Sequence, residues 1–262
     1  MTTFTSPLRI VESELIWYKR TWRGTVISSI VNPVLFLAAM GASLGALVDR
    51  GDADLGIPYL AFVATGLMAA SGMQNGASDG SFPVMAGFLW RKHFQGMLTT
   101  PIQTRDIVVG RFMWTTIRLT FIITLFALIG VAFGAMELGP ALLAVPPSVL
   151  CGLAFNTCVS AWTTTRRDGT SFSTLFRFGI VPLFLFSGTF FPISQLPDFL
   201  EPVALATPLF HGVELARKIA IPGAEAPLVT SLPLWLHLTY LVVMAAVGLY
   251  LFNRLLDKRI RP

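Results

Sequence analysis

The side chains that could do chemistry in this 262-residue chain are few, and their spacing matches no catalytic or metal-binding pattern. The three histidines, His93, His211 and His237, lie on different segments, and the zinc-protease pattern H-E-x-x-H is absent. Neither a G-x-x-x-x-G-K-[ST] phosphate loop nor a G-x-S-x-G nucleophile turn occurs. We therefore predict no catalytic residue, no cofactor and no metal site on this chain, and any ATP-driven step must use ATP bound to another protein.

Charged residues within the long apolar stretches are basic rather than acidic. Asp79, at the end of the second stretch, is the acidic residue nearest to one, which disfavours a transporter driven by protons or sodium ions. Arg118 and Arg177 lie at predicted membrane depth, where an arginine at a helix centre costs roughly 2.5–3.5 kcal/mol. Both are near helix ends, so we expect their side chains to extend to the lipid head groups. An ion pair across helices and a contact with a substrate head group are the alternatives.

The composition identifies the environment in which these residues lie. Hydrophobic residues make up 54% of the chain, charged residues only 13%, and the mean hydropathy is +0.69. Soluble domains carry about 25% charged residues, so too few remain here to cover a water-exposed surface. This excludes a soluble enzyme, a disordered chain and a fibrous protein, and it indicates a protein that crosses a membrane several times.

Apolar runs long enough to cross about 30 Å of hydrocarbon divide the whole chain. We predict an all-α integral membrane protein with a single transmembrane domain over residues 1–262. The six predicted spans are residues 25–48, 56–78, 111–136, 140–164, 174–191 and 232–253.

Lysine and arginine residues lie mostly on one side of these predicted spans. The two chain ends carry four each, and the second-to-third and fourth-to-fifth connections add four and two, against three on the other side. Because basic loops stay in the cytoplasm, we predict that both termini are cytoplasmic. The basic net charge, +5, thus reflects topology rather than nucleic-acid binding.

Two segments outside the spans have a distinctive pattern. Residues 1–23 have apolar side chains at helical spacing, with Trp17 and Trp22 suited to the membrane interface, and predict an interfacial helix. Between the fifth and sixth spans, residues 192–231 contain prolines that leave pieces too short to cross the membrane. Irregular backbone at membrane depth must be buried in protein or line a cavity, so we predict short re-entrant helices there.

A third segment, residues 91–100, predicts a short amphipathic helix in a cytoplasmic loop. Phe94, Met97 and Leu98 fall on one face, Arg91 and Gln95 lie elsewhere, and Pro101 ends the helix. The apolar face needs a receiver. Either the helix folds back on the membrane surface, or it docks into a partner protein.

Small residues and phenylalanines mark further contacts within the predicted spans. Glycine pairs four residues apart permit close helix packing, which we expect to be mainly within the chain, with a dimer contact as the alternative. These pairs are Gly41–Gly45, Gly72–Gly76 and Gly130–Gly134. A run of phenylalanines in the fifth span is typical of a core or lipid-facing stripe, and a gate for a ligand is the alternative.

Several short motifs follow one another in a fixed order along nearly the whole chain. They are Asn32-Pro33, Leu98-Thr-Thr-Pro101, Asp106-Ile-Val-Val-Gly110, Ser187-Gly-Thr-Phe-Phe-Pro192, Gln195-Leu-Pro197, Thr207-Pro-Leu-Phe-His211 and Val213-Glu-Leu-Ala-Arg217. Each motif alone is weak, but their order and spacing are specific. The chain thereby resembles the permease subunits of ABC-2 type transporters, in particular the NodJ-like and daunorubicin-resistance-like exporters.

The resemblance implies a six-span permease that pairs with a second copy or a sister permease. Two separate ATP-binding cassette subunits would bind ATP and Mg²⁺ and hydrolyse the ATP, and the helix at 91–100 would be the coupling helix that docks into them. Its predicted contact residues are Arg91, Phe94, Gln95, Met97, Leu98 and Pro101. We predict a substrate path or gate that includes Asn32, Met68, Gln74, Phe184, Phe186, Phe190 and Phe191.

The substrate class stays open at this stage. An apolar lining suits a hydrophobic or amphiphilic molecule, and the resemblance implies export of a drug, a lipid or a lipid-linked glycan across a bacterial plasma membrane. An ion-independent channel, or a membrane scaffold without an ATPase, is the alternative reading.

Overall fold

A computed structural model of the protein describes residues 5–40, 57–197, 199–223 and 229–260. Helices and turns account for these residues, and no strand occurs among them, so the predicted all-α class is confirmed for this part of the chain. The helices are α1 Thr5–Ala39, α2 Tyr59–Gly80, α3 Phe82–Met85, α4 His93–Met97, α5 Thr104–Ala132, α6 Leu138–Leu143, α7 Val145–Thr164, α8 Thr170–Leu175, α9 Val181–Phe186, α10 Glu201–Leu205, α11 Pro208–Ala220 and α12 Leu234–Ile260. A wide π-helical turn at Ala86–Trp90 follows α3, and another at Phe176–Ile180 joins α8 to α9. A 3₁₀ turn forms at Ile193–Gln195.

Four helical segments are long and apolar enough to cross a membrane. They are Ser6–Ala39, Thr104–Ala132, Leu138–Thr164 and Leu234–Ile260. The α2 helix has 22 residues, but Gln74 and Asn75 lower its apolar character, and the apolar segment Thr170–Phe186 is shorter than the four. The chain is thus a multi-pass membrane protein, while the number six stays a prediction.

The two ends of the described chain meet at one end of the helix bundle. Ile10 and Ile260 lie in one hydrophobic cluster, together with Phe94. The Thr104 hydroxyl at the start of α5 donates a hydrogen bond of 2.5 Å to Asp257 near the end of α12. We call this the basic end, and the opposite end, where the Tyr59 hydroxyl bonds the Phe190 carbonyl, the distal end.

The α1 helix runs without a break from Thr5 to Ala39. The sequence predicted an interfacial helix over residues 1–23, separate from a span that begins near residue 25, but Gly24 lies inside one continuous helix of 35 residues. The prediction of two helices is therefore wrong for this segment. A glycine inside a helix costs about 1 kcal/mol relative to alanine, which the helical residues on both sides of Gly24 tolerate. The remainder of the predicted span, residues 41–48, lies outside the described residues.

The α2 and α7 helices pack side by side at unusually short distance. A Cβ atom added at Gly76 would lie 2.0 Å from the carbonyl oxygen of Gly152. Asn156 of α7 donates to the Gly76 carbonyl at 3.1 Å, and Thr163 donates to the Gly80 carbonyl at 2.8 Å. The pair Gly72–Gly76 therefore serves packing within the chain, as expected, because missing side chains let the two backbones approach.

Of the other two glycine pairs, Gly130–Gly134 lies at the end of α5, and a dimer contact through it stays a prediction. Gly130 packs against Met136, and Gly134 adopts a left-handed conformation with φ of 72° just after α5. Gly41–Gly45 lies outside the described residues.

The region predicted to hold short helices before the last span contains α10 and α11. Prolines begin both, with Pro202 in the first turn of α10 and Pro208 at the start of α11. The α11 helix packs against α2, α7 and α12 and is buried along most of its length. Short helices are thus confirmed here, and their insertion into the membrane stays a prediction.

Replacing a helical glycine by alanine usually stabilises a helix. The close contact between α2 and α7 predicts the opposite effect at Gly76. Gly76→Ala should lower the melting temperature in detergent, since overpacking costs about 1–3 kcal/mol. Gly24→Ala is the matched control, because Gly24 is also helical and has nothing within 4 Å of an added Cβ. Size-exclusion thermal-stability measurements on both variants check this. Equal melting temperatures for the two variants would show that the close contact is not real.

Candidate functional site

The segment between α2 and α5 forms the surface of the basic end. It consists of α3, the turn Ala86–Trp90 and the short α4, with Lys92 in a left-handed conformation of φ 52° between them. The predicted helix of residues 91–100 is thus shorter than expected, because this backbone reversal delays its start to His93 and turns follow Met97. The reversal also directs the next side chain, Phe94, into the bundle.

Phe94 is 1% exposed and packs within the hydrophobic cluster of the basic end. Its ring lies against Gly87, where an added Cβ would meet it at 2.2 Å. A side chain so buried makes no direct contact with another protein in this conformation, which corrects the prediction for Phe94. The apolar face of the helix is received mainly by the chain itself, an option that the sequence pattern did not distinguish from docking on a partner.

The other predicted contact residues divide into a structural group and an exposed group. Gln95 donates from its side-chain amide to the Phe88 carbonyl at 2.7 Å and so ties α4 to the preceding turn. Met97 and Leu98 are half-buried against the same cluster. Of the predicted residues, only Arg91 and Pro101 are exposed. The other exposed residues of the same segment are Lys92, Gly96, Thr99 and Thr100.

Arg111 lies directly behind Phe94 and connects three helices. It is 5% exposed, donates to a Glu14 carboxylate oxygen of α1 at 2.7 Å and approaches the Asp79 carbonyl of α2 at 3.4 Å. Its guanidinium carbon lies 5.9 Å from the centre of the Phe94 ring. The Arg111 side chain thus joins α5 to α1 and α2 beside the Phe94 ring.

Arg118 forms an ion pair with Asp79 across α5 and α2. Both side chains are largely buried, so the expected extension of Arg118 to the head groups is wrong, and the alternative of an ion pair is observed. The sequence showed Asp79 as an acidic residue at the end of the second predicted span. It did not show that Asp79 and Arg118, 39 residues apart, lie at the same level of neighbouring helices. Arg177 is exposed on the turn between α8 and α9, and its extension to the head groups stays a prediction.

A groove of about 500 Å³ opens between α1 and the segment that carries α4. Its wall contains Glu14, Trp17, Phe82, Trp90, Arg91 and His93, and we call it the basic-end groove. Burial lowers the pKa of His93 below its usual value, against an opposing effect of Glu14, so the imidazole is neutral at pH 7. The sequence predicted Trp17 as an interfacial anchor but gave no sign that Trp90 would share a groove with it.

Three phenylalanines meet near the distal end. Phe184 of α9 contacts Phe36 of α1 and Phe190 edge-on, with ring centres 6.3 and 5.0 Å apart. We call them the distal phenylalanine cluster. The Tyr59 hydroxyl fixes the backbone of Phe190 from the α2 side at 3.1 Å. The cluster thus joins α1, α2 and α9, although Phe36 was not among the predicted path residues.

The remaining predicted path residues do not converge on one site. Met68 is fully buried in the main core, so its predicted place on a substrate path is wrong for this conformation. Asn32, Gln74 and Phe186 are exposed on three different helices. Phe191 packs instead on a small cluster with Phe210, beside the distal turns.

Sequence reasoning missed the strongest polar contacts of the distal end. Arg217 of α11 is 1% exposed, donates to the Gly188 carbonyl at 2.9 Å and lies 3.7 Å over the Phe62 ring. The imidazoles of His211 and His237 are joined at 2.8 Å between their Nδ1 atoms. In the sequence, Arg217 is one of the three basic residues of the less basic side, and only its place near the end of a helix that begins at Pro208 could have indicated burial.

Comparison with known proteins covers most of the chain. The model of the ABC-2 type transporter family matches residues 8–221. Nodulation protein J of Rhizobium meliloti (strain 1021) is 28% identical over 248 residues, which are 95% of this chain and 91% of that protein. Nodulation protein J of Sinorhizobium fredii (strain NBRC 101917 / NGR234) is 28% identical over 245 residues, 93% and 89% of the two chains. The inner membrane transport permease YadH of Escherichia coli (strain K12) is 21% identical over 218 residues, 83% and 84% of the two chains.

The ion pair of Asp79 and Arg118 predicts a compensating pair of substitutions. Asp79→Asn should lower the melting temperature, because an unpaired buried arginine costs up to about 3 kcal/mol. Adding Arg118→Gln should recover most of the loss, since both charges are then gone. Glu12→Gln, an exposed acid on α1, is the control and should have no effect. A double variant as unstable as Asp79→Asn alone would contradict the pairing.

Proposed function

The chain belongs to the ABC-2 type transporter family, and on this basis we propose that it is the permease subunit of an ATP-binding cassette exporter. The match over residues 8–221 is the observation that carries the proposal. The multi-pass helical bundle and an exposed basic segment at one end support it. The chain itself supplies a passage and mechanical coupling, and the chemistry takes place on its partners.

The partners in this proposal are two ATP-binding cassette subunits, which dock at the basic end. These subunits, and not this chain, bind ATP and Mg²⁺. The family implies such ATPases, and the sequence itself has no phosphate loop. In this proposal the basic end and both termini face the cytoplasm of a bacterium, and the many lysines and arginines of the connections at this end support that orientation. The ATPases would bind the exposed residues of the segment 91–101 rather than Phe94.

Coupling in this proposal follows the contacts behind that segment. Force on α4 reaches Phe94, and from there Arg111, which holds Glu14 of α1 and lies beside Asp79 of α2. Packed side chains transmit such displacements because they have little room to yield. The α1 and α2 helices are thus the first elements to respond to the ATPases.

A second permease, either a copy of this chain or a sister protein, would cover the apolar faces that this chain leaves open. Phe178, on the turn before α9, is 73% exposed, and Phe186 of α9 and Phe36 of α1 are also exposed. These two helices contribute two of the three rings of the distal phenylalanine cluster. We propose that the substrate crosses between the two permeases and leaves past this cluster.

The substrate in this proposal is an amphiphile: a drug, a lipid or a lipid-linked glycan. Exposed phenylalanines suit its apolar part, and the exposed amides of Asn32 and Gln74 suit its polar part. An amide in contact with lipid alone would lack hydrogen-bond partners, which favours a polar occupant beside it.

Purification of the chain from its native membrane in mild detergent, with mass spectrometry of the copurified proteins, tests the proposal. We expect an ATPase with a phosphate-loop sequence in stoichiometric amount. If crosslinking through residues 91–101 finds no nucleotide-binding protein either, the proposal fails, and a channel or scaffold without an ATPase takes its place.

The exposed face of α4 gives a sharper test of where the ATPase binds. Gly96 is exposed with nothing within 4 Å of an added Cβ, so Gly96→Leu adds bulk without a clash inside the chain. We expect at least about a tenfold loss of ATPase association, because the leucine separates the two surfaces. Pull-down with the ATPase measures it.

Gly139→Leu is the matched control for this variant. Gly139 is also an exposed helical glycine with open space around it. It lies in α6, which follows the long helix α5, whereas α4 precedes α5. It should leave association unchanged. If both variants bind the ATPase as the unaltered chain does, the segment 91–101 is not the docking surface.

A further inference from the structure

The basic-end groove has the size and wall chemistry of a binding site for part of an amphiphile. Its volume of about 500 Å³ falls within the range of about 300–1,000 Å³ that small-molecule sites occupy. Trp17 and Trp90, 50% and 52% exposed, form two of its walls. Tryptophan side chains of this kind concentrate at the depth of lipid head groups, where their apolar rings and polar N–H groups both find partners.

The charged groups of the groove leave one cation for a ligand. Glu14 is bound to Arg111 at 2.7 Å, so these two charges offset each other. His93 is neutral at pH 7 for the reason given above. Arg91 lies 5.4 Å over the Trp17 ring, and none of the ion pairs of the described residues involves it. The Arg91 side chain is exposed, and a guanidinium can donate several N–H hydrogen bonds to a phosphate.

The groove continues into a strip along α1 that suits a hydrocarbon chain. Gly24 and Val31 follow Trp17 at intervals of seven residues and so lie on the same face of the helix. Both are exposed, and nothing lies within 4 Å of a Cβ added at Gly24. Arg91, the two tryptophans and the apolar positions of α1 thus offer contacts for the phosphate, the glycerol region and the acyl chains of a lipid.

We propose that the basic-end groove binds an anionic phospholipid of the surrounding bilayer, with its phosphate on Arg91 and its glycerol region between Trp17 and Trp90. A net positive groove favours an anionic head group over a zwitterionic one, because the ammonium of the latter opposes Arg91. This site requires only that the chain lies in a membrane, but it uses Arg91, which the proposed function also offers to the ATPase, so lipid binding is measured on the purified chain alone.

Native mass spectrometry of the purified chain, titrated with phosphatidylglycerol and with phosphatidylcholine, tests the site. We expect the unaltered chain to prefer phosphatidylglycerol by roughly fivefold, the effect of one basic side chain near an anionic head group. Arg91→Gln should remove the preference. Trp17→Leu should weaken the binding of both lipids.

Two matched controls separate the groove from a general attraction of the basic end for anions. Arg105 is also exposed at this end but does not line the groove, so Arg105→Gln should keep the preference. Trp22 is exposed on the same helix as Trp17 but lies outside the groove, so Trp22→Leu should keep the affinity. Unchanged melting temperatures confirm that the variants are folded.

Three results would overturn the site. These are a preference that survives Arg91→Gln, a preference lost equally in Arg105→Gln, and tighter binding of phosphatidylcholine. Extraction of the lipid that copurifies with the chain and its ATPase, before and after ATP turnover, separates a resident lipid from cargo. A bulk phospholipid retained through turnover supports the proposal, whereas a species lost on turnover identifies the groove as a cargo site and refutes it. Absence of an ATPase would leave the titration intact, so failure of the transport proposal is seen separately.

Discussion

The pairing of arginines inside the apolar bundle is the constraint on which the rest of the basic end depends. Arg111 and Arg118 lie two turns apart on α5, and each reaches an acid on a different neighbour, Glu14 on α1 and Asp79 on α2. An unpaired charge inside the apolar bundle would cost several kcal/mol of folding free energy. The two ion pairs therefore favour one register of α1, α2 and α5. The position of α4 follows, because Phe94 packs in the space that these charges define.

This arrangement changes how the segment 91–101 is understood. An amphipathic pattern in a loop shows that an apolar face must be covered, but it does not show by what. Here the left-handed backbone at Lys92 directs Phe94 into the bundle, and Gln95 closes the preceding turn through the Phe88 carbonyl. Any partner that binds this segment would therefore meet an exposed surface whose inner side is already fixed to the neighbouring helices.

The sequence was sufficient for features that depend on composition and period, and insufficient for those that depend on register. Apolar runs predicted the helices, and both ends of the described chain contribute a residue, Ile10 and Ile260, to one hydrophobic cluster. The continuity of α1 at Gly24 was missed because interfacial and spanning helices share the same period. The pair of Asp79 and Arg118, the burial of Met68 and the burial of Arg217 depend on contacts between residues far apart in the chain, which no local pattern records.

The continuous α1 helix connects the basic end to the distal phenylalanine cluster, so a tilt of this helix at one end would move side chains at the other. Glu14, held by Arg111, and Phe36, in contact with Phe184, are 22 residues apart on one helix, a distance of about 33 Å at 1.5 Å per residue. A tilt of about 5° around Glu14 would carry Phe36 through about 3 Å, enough to separate two aromatic rings. Pro33, which removes one helix hydrogen bond near the far end, is the point at which this arm bends most easily. A small tilt of α1 at the basic end would thereby become a displacement of the size of a side chain at the distal end.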